Sequence, residues 1–440
     1  MFDSVKDINV EYVDFRTKAR YEEYLAAGMN VLVLQAHDEF GNSGETFEGS
    51  NLENIMNTAY SSGIGRVVVF DKRLENLTRK EEPIVGSGCQ FATQAELVYY
   101  VKNCLSDYSD HPAFYGVRLV DEPTWKQLPQ MGAVYQALKT VMPEIYVDIN
   151  LLPNYANISA YVDISAAGNE NLTRAEAFEQ YLELYVSSTN YMADRICFDS
   201  YPIRADANGN HYTLTSHIAC VQAVAKIAEK YGLRMVGVVQ SSAWYDGEMN
   251  LTHGAPTKEE MWWQLNALIA FGCDEFAYFT YQTKQMSNAQ DDSSFIDRNG
   301  DVNQLYYDMQ DIHGKVQELA PVILNYGYVA SKYFCNGTAP SYISGMESAE
   351  SLSSIKGVQI DGNAVALISE LENAANEKMY AVMNTDQPEL TEESLSISIT
   401  FEGATQAEIF VDGVWQTVAL EGGVLELTVA AGHAVYVIVK

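Results

Sequence analysis

Between residues 1 and 325 the chain alternates eight times between a short run rich in Val, Ile, Phe and Tyr and a longer segment with helical spacing of its apolar side chains. The runs lie at 8–14, 31–36, 66–71, 114–120, 145–150, 195–199, 234–240 and 275–281. The helical segments include 16–28, 51–62, 93–106, 124–141, 174–188, 212–231, 257–271 and 303–319. Strands separated by helices cannot be joined by tight hairpins. They pair in parallel, each helix serving as the crossover. Eight such units predict a (β/α)8 barrel. Gly28, Gly63, Gly65, Gly232 and Gly272 stand where a helix must stop before the next strand.

After Pro321 the period changes. Short alternating runs fill the rest, with turn signals at Asp412-Gly413, Gly422-Gly423 and Gly432. This predicts a small C-terminal antiparallel β-sandwich. The expected domains are a barrel over 1–325 and a sandwich over 326–440.

The charge narrows the partners. With 27 Lys and Arg against 59 Asp and Glu, the net charge is −32. Such a surface repels phosphate backbones and anionic lipid, so nucleic acid is excluded as a partner. Neutral ligands meet no such barrier. No apolar run approaches the roughly 18 residues of a membrane span. Six scattered Cys show no zinc spacing, and Cys197 and Cys273 sit in apolar stretches as small core residues. The opening MFDSVKDINVEYVDF lacks a basic segment followed by an apolar one. The expected location is exported (periplasmic, surface or extracellular) with the signal removed, and the cytoplasm is the alternative.

A barrel carries its chemistry at the C-terminal ends of its strands. Those ends hold Gln35 to Glu39, Asp71, Asp121-Glu122, Asp148 to Asn150, Asp199 to Pro202, Gln240 to Ser242 and Thr280 to Gln282. A ring of carboxylates, amides and aromatics suits a neutral polyol such as a sugar. His37 and Asp38 are expected to bind substrate, with His37-Asp38-Glu39 a hydrogen-bonding cluster rather than a metal site. Asn150, Gln240 and Tyr281 are expected to hydrogen-bond sugar hydroxyls. Tyr201, Trp244 and Trp125 are candidate stacking platforms. Asp297-Arg298-Asn299-Gly300-Asp301 has its Gly at position four instead of six, so it is no calcium loop. No cofactor or metal is expected.

The strongest local signal is His111 to Trp125, HPAFYGVRLVDEPTW. Asp121 and Glu122 end the fourth strand, and two adjacent carboxyls at a rim push one of them toward the protonated form that a general acid needs. A plain helix start, acids before Pro123, is the other reading. The segment resembles the fourth-strand motif of (β/α)8 glycoside hydrolases of the β-galactosidase-like clan, in which a His-Pro-Ala-Phe-x-Gly opening leads to Asn-Glu-Pro or Asp-Glu-Pro. Cys197 to Pro202, Gly272 to Tyr281, Ile296 to Gly300 and Leu305 to Tyr307 extend the likeness. The resemblance implies a glycosidase with Glu122 as acid/base and Asp121 beside it.

One position departs from the pattern. The clan's nucleophile is a Glu ending strand seven, where this chain has Gln240. An amide forms no glycosyl ester. Asp199, Asp38, Glu39 and the loop residue Glu248 are the replacement candidates, with Asp199 first. Adjacent Asp-Glu also resembles the pair of hexosaminidases in which the substrate's own 2-acetamido group attacks. Three expectations therefore stand: hydrolysis of a neutral oligo- or polysaccharide through Glu122, a substrate-assisted N-acetylhexosaminidase, and a glycan-binding barrel without catalysis.

Overall fold

The computed structural model describes residues 2–3, 16–35, 38–206, 208–214, 216–245, 250–283, 293–343, 345–389, 391 and 393–440. Its main sheet holds β1 (Phe2–Asp3), β2 (Leu32–Leu34), β3 (Val67–Phe70), β4 (Phe114–Asp121), β5 (Tyr146–Leu151), β6 (Arg195–Asp199), β7 (Arg234–Gln240) and β8 (Glu275–Phe279), in chain order. From β1 to β6 the pairing is parallel, with Phe2 opposite Val33, Val33 opposite Val68, Val68 opposite Gly116, Val117 opposite Val147 and Asn150 opposite Cys197. The fold is a (β/α)8 barrel followed by a β-sandwich. The predicted first strand at 8–14 lies outside the described residues; Phe2–Asp3 takes the first place in the sheet.

The chain divides into two compact units, Met1–Asp199 with Ala277–Asn303, and Ser200–Phe276 with Gln304–Lys440. In the first, all four residues of β3 are buried, because a parallel strand is covered on both faces. Its helix Arg174–Ser188 starts with a capping box, Thr173 and Glu176 satisfying each other's backbone N–H.

In the second, the helix His217–Tyr231 ends on Gly232, whose φ of 65° favours a residue without Cβ, and the chain turns into β7. The helix Lys258–Ala270 is buried on almost every side. That fits its surroundings: the Trp263 indole N–H donates to Thr385 O at 2.9 Å, and Asn266 Nδ2 donates to Gly432 O at 3.1 Å.

Among the described residues nine further strands follow Gln304–Ile323: β9 (Tyr326–Phe334), β10 (Ile355–Asp361), β11 (Ala366–Asn373), β12 (Lys378–Asn384), β13 (Leu395–Phe401), β14 (Gln406–Val411), β15 (Val414–Ala419), β16 (Val424–Val429) and β17 (Ala434–Val439). One sheet runs β9-β11-β12-β17-β14-β15 and the other β10-β13-β16. Alternate residues of β13, Leu395, Ile397, Ile399 and Phe401, meet Val435 and Val437 in a shared core. The Asp412-Gly413 hairpin forms as predicted: both residues have positive φ, 49° and 86°, and Val411 faces Val414. Among the described residues no helix is long and apolar enough to cross a membrane.

Candidate functional site

The predicted site residues fall into two groups, one in each compact unit. The first is built on β4, β5 and β6. Strand β4 carries Arg118 inward, only 2% exposed, and delivers Asp121 and Glu122 to its C-terminal end. Arg118 lies 3.1 Å from Asp121 and 3.6 Å from the buried Asp148 of β5. Asn150, two residues along β5, donates from Nδ2 to Asp121 Oδ1 and to Asp199 Oδ2, both at 3.0 Å. One amide thus spans the acids that end β4 and β6. A buried cation and a forked amide are what three neighbouring carboxyls require, since an uncompensated buried charge is costly.

Glu122 differs from these neighbours. Its φ is +48°, a region that costs an ordinary residue roughly 1–2 kcal/mol. The Glu122 N–H donates to Asn150 O at 2.8 Å, so β5 holds the turn in place. The residue is open to solvent, yet its carboxyl has lost enough hydration to be raised to about 7. The charge of Asp121 adds to that rise, and Arg79 opposes it. Arg79 is itself tied to this turn by donating from Nη1 to Asp121 O at 2.9 Å. Asp148 is likewise raised by burial, against the pull of Arg118.

Other predicted residues of this unit sit differently. Asn150 is 2% exposed and its amide goes to acids, which makes it a brace. Asp199 is 3% exposed at the end of β6. Asp38 is buried and paired with Arg16. Glu39 meets Lys72 at 2.6 Å. Tyr281 is 4% exposed, its ring packed edge-on against Tyr24 and beside Phe295. His37 and Glu248 lie outside the described residues.

The second group follows β6 and β7. The Trp244 and His253 rings stack 3.7 Å apart at 20°, and Tyr201 meets Trp244 edge-on at 5.1 Å. Burial, helped by Arg204, lowers His253 to about 3, so it is a neutral ring. Tyr201 and Trp244 are half-buried.

Gln240 corrects the sequence-based expectation of a sugar contact. It is fully buried, and its Nε2 donates to Ile203 O and Gly254 O, both at 2.9 Å. Its Oε1 accepts from Ile203 N at 2.9 Å. The amide ties Ile203, the first residue of the short strand Ile203–Ala205, to Gly254, which follows the strand Leu251–His253. A carboxylate there would face two carbonyl oxygens with no proton to offer. Sequence reasoning missed Arg118, Arg79 and His253. Arg118 was visible as a cation amid an apolar strand; the roles of Arg79 and His253 depend on distant partners. Among the described residues no group of three or more His, Cys, Asp or Glu is arranged to hold a metal ion.

No family model matches the chain, and no curated protein sequence does. Solved structures do. A glycoside hydrolase family 5 protein from Bacteroides vulgatus aligns over 97% of this chain and 87% of its own, with a TM-score of 0.52 and 11% identity. A second structure, described as a glycoside hydrolase, aligns over 96% and 89%, with a TM-score of 0.54 and 12% identity. At that identity the likeness is one of fold: over nearly its whole length the chain shares the fold of those two solved structures.

Proposed function

We propose that the protein is a glycoside hydrolase that cleaves a glycosidic bond in a neutral oligo- or polysaccharide, with Glu122 as the proton donor. One observation carries this reading: Glu122 follows the last residue of β4 on a positive φ, open to solvent, with its carboxyl raised to about 7 beside Asp121. Below that pH it holds the proton a leaving glycosidic oxygen must receive. After bond cleavage the same carboxylate takes a proton from the incoming water. Asp121, gripped by Arg118 and Asn150, orients the substrate and keeps the proton on Glu122. Asp199 is the proposed second carboxylate. Tyr201 and Trp244 are proposed sugar platforms. The proposed domains remain 1–325 and 326–440. Export belongs to the same reading, because a polysaccharide does not enter a cell.

The Gln240 clamp favours a second reading. With no carboxylate ending β7, a substrate that brings its own 2-acetamido nucleophile needs only Asp121 and Glu122. A panel of nitrophenyl glycosides separates the readings. Turnover of plain hexosides, lost in Asp199→Asn, supports the first. Turnover confined to 2-acetamido sugars, with thiazoline inhibition, supports the second. Sugar binding with no turnover of any glycoside sinks both and leaves a binding barrel.

A further inference from the structure

A groove of about 840 Å³ runs along the outside of the first unit, apart from the acids of β4 to β6. One wall is a single face of the helix Arg174–Ser188: Glu176, Glu179, Gln180, Glu183 and Ser187 recur at helical spacing. At 1.5 Å per residue, Glu176 to Ser187 spans about 16 Å, the scale of a short oligosaccharide. Trp125 and Tyr191 add aromatic rings to its lining; Tyr191 is 64% exposed and Trp125 half-buried.

We propose that this groove binds a stretch of neutral glycan chain remote from the bond that is cut. The inference rests on the hydrolase reading for the identity of the chain, and on three features of the groove itself. Trp125 is the third residue after Glu122, so the groove begins on the same turn as the acid. That turn is fixed to the groove wall: Tyr181, on the buried face of the helix, donates its hydroxyl to Pro123 O at 2.6 Å, and Trp125 N donates to Ala160 O at 2.9 Å. The lining offers carboxylate, amide and hydroxyl acceptors to sugar hydroxyls, its acids outnumber the one nearby cation, Lys126, whose ammonium stands 5.9 Å from the Trp125 ring centroid, and this excess of negative charge disfavours anionic polymers. Aromatic rings set among acceptors fit a polyol whose two ring faces are C–H and whose rim is O–H.

The test is calorimetric binding of cello-, xylo-, manno- and galacto-oligosaccharides, as disaccharides and hexasaccharides, to the full chain carrying Glu122→Gln so that nothing is hydrolysed. The hexasaccharide of at least one series should bind about tenfold more tightly than its disaccharide, a gain of the size one well-placed anchor supplies. Trp125→Ala, and separately Glu179→Ala with Gln180→Ala on the exposed helix face, should each remove most of that gain while disaccharide affinity stays. No gain with length in any series overturns the inference, as does a gain indifferent to both variants. Glucosamine hexamers binding more tightly than every neutral hexamer, with the preference abolished by Glu179→Lys, would replace it with a cation-selective groove. Failure of the hydrolase reading looks different: every glycoside stays uncut by the unmutated chain while the length-dependent binding persists.

Discussion

The ends of β4 and β7 hold polar residues in corresponding places in the barrel and use them in opposite ways. Glu122 leaves its carboxyl unengaged by the protein's backbone, crowded by Asp121, and strained into a positive φ. Gln240 is fully buried with both ends of its amide bonded to Ile203 and Gly254. A site needs groups whose hydrogen-bonding capacity is left for a ligand. At β4 that capacity is kept, at the expense of local stability; at β7 it is consumed by the backbone of Ile203 and Gly254. The Gln240 amide at the end of β7 therefore has its hydrogen bonds inside the protein.

The largest effect that sharpens this contrast is Glu122→Gln. It should lower kcat on glycosides with poor leaving groups by on the order of 10²–10⁴, and much less on substrates whose leaving group needs no proton. The pH profile carries a sign. A carboxyl raised to about 7 stays protonated below that pH, so kcat/KM should fall as pH rises through about 7. A profile flat from pH 6 to 8, with equal small losses on both substrate types, would reduce Glu122 to a helix start.

Next in size is Arg118→Met, which strips the buried cation from Asp148 and Asp121. Removing one partner of a buried pair costs about 3–5 kcal/mol, read as a drop in the denaturant midpoint. A loss of unfolding free energy below about 1 kcal/mol would show that the acids of β4 and β5 do not depend on it.

Gln240→Glu tests the other side of the comparison. A carboxylate facing two carbonyls should destabilise by about 1–3 kcal/mol and produce no new activity. Trapping a 2-fluoro-glycosyl ester on the introduced Glu would break the contrast, because the position would then be a nucleophile's seat and not a clamp.

The smallest effect comes from His211, whose Nδ1 lies 3.0 Å from the buried Glu260. Glu260, through its hydrogen bond and charge, raises His211 above its ordinary value despite the loss of hydration. The stabilisation is therefore fully present below the unfolded pKa of about 6.5 and is lost as pH rises through the higher folded value. His211→Gln should lower the melting temperature at pH 6, and the gap should narrow at pH 9. Glu260 keeps Gln387 at 2.9 Å and the Thr257 N–H at 3.0 Å, so the effect is bounded. A gap that widens with pH would contradict the assignment.

The strand ends were readable because apolar period and punctuation are local. RVVVFD and RMVGVVQ announce β3 and β7 wherever the rest of the chain goes, and Asp-Gly announces its hairpin. Glu122 was readable for the same reason: a strand delivers its last residues to one end of a barrel. Asn150 and Tyr281 were read from strand position as sugar contacts, yet one braces two acids and the other packs against Tyr24.

What the chain's order of residues determined by itself is the architecture: eight alternations, a change of period after Pro321, and Asp121-Glu122 at a strand end. What only the tertiary structure decided is which polar atoms are used up inside the protein. Gln240 finds Ile203, 37 residues earlier, and Gly254, 14 residues later. Asn150 finds Asp121, 29 residues earlier, and Asp199, 49 residues later. A hydrogen bond is short and directional, so its partner is chosen by where distant backbone comes to rest, which no local pattern records.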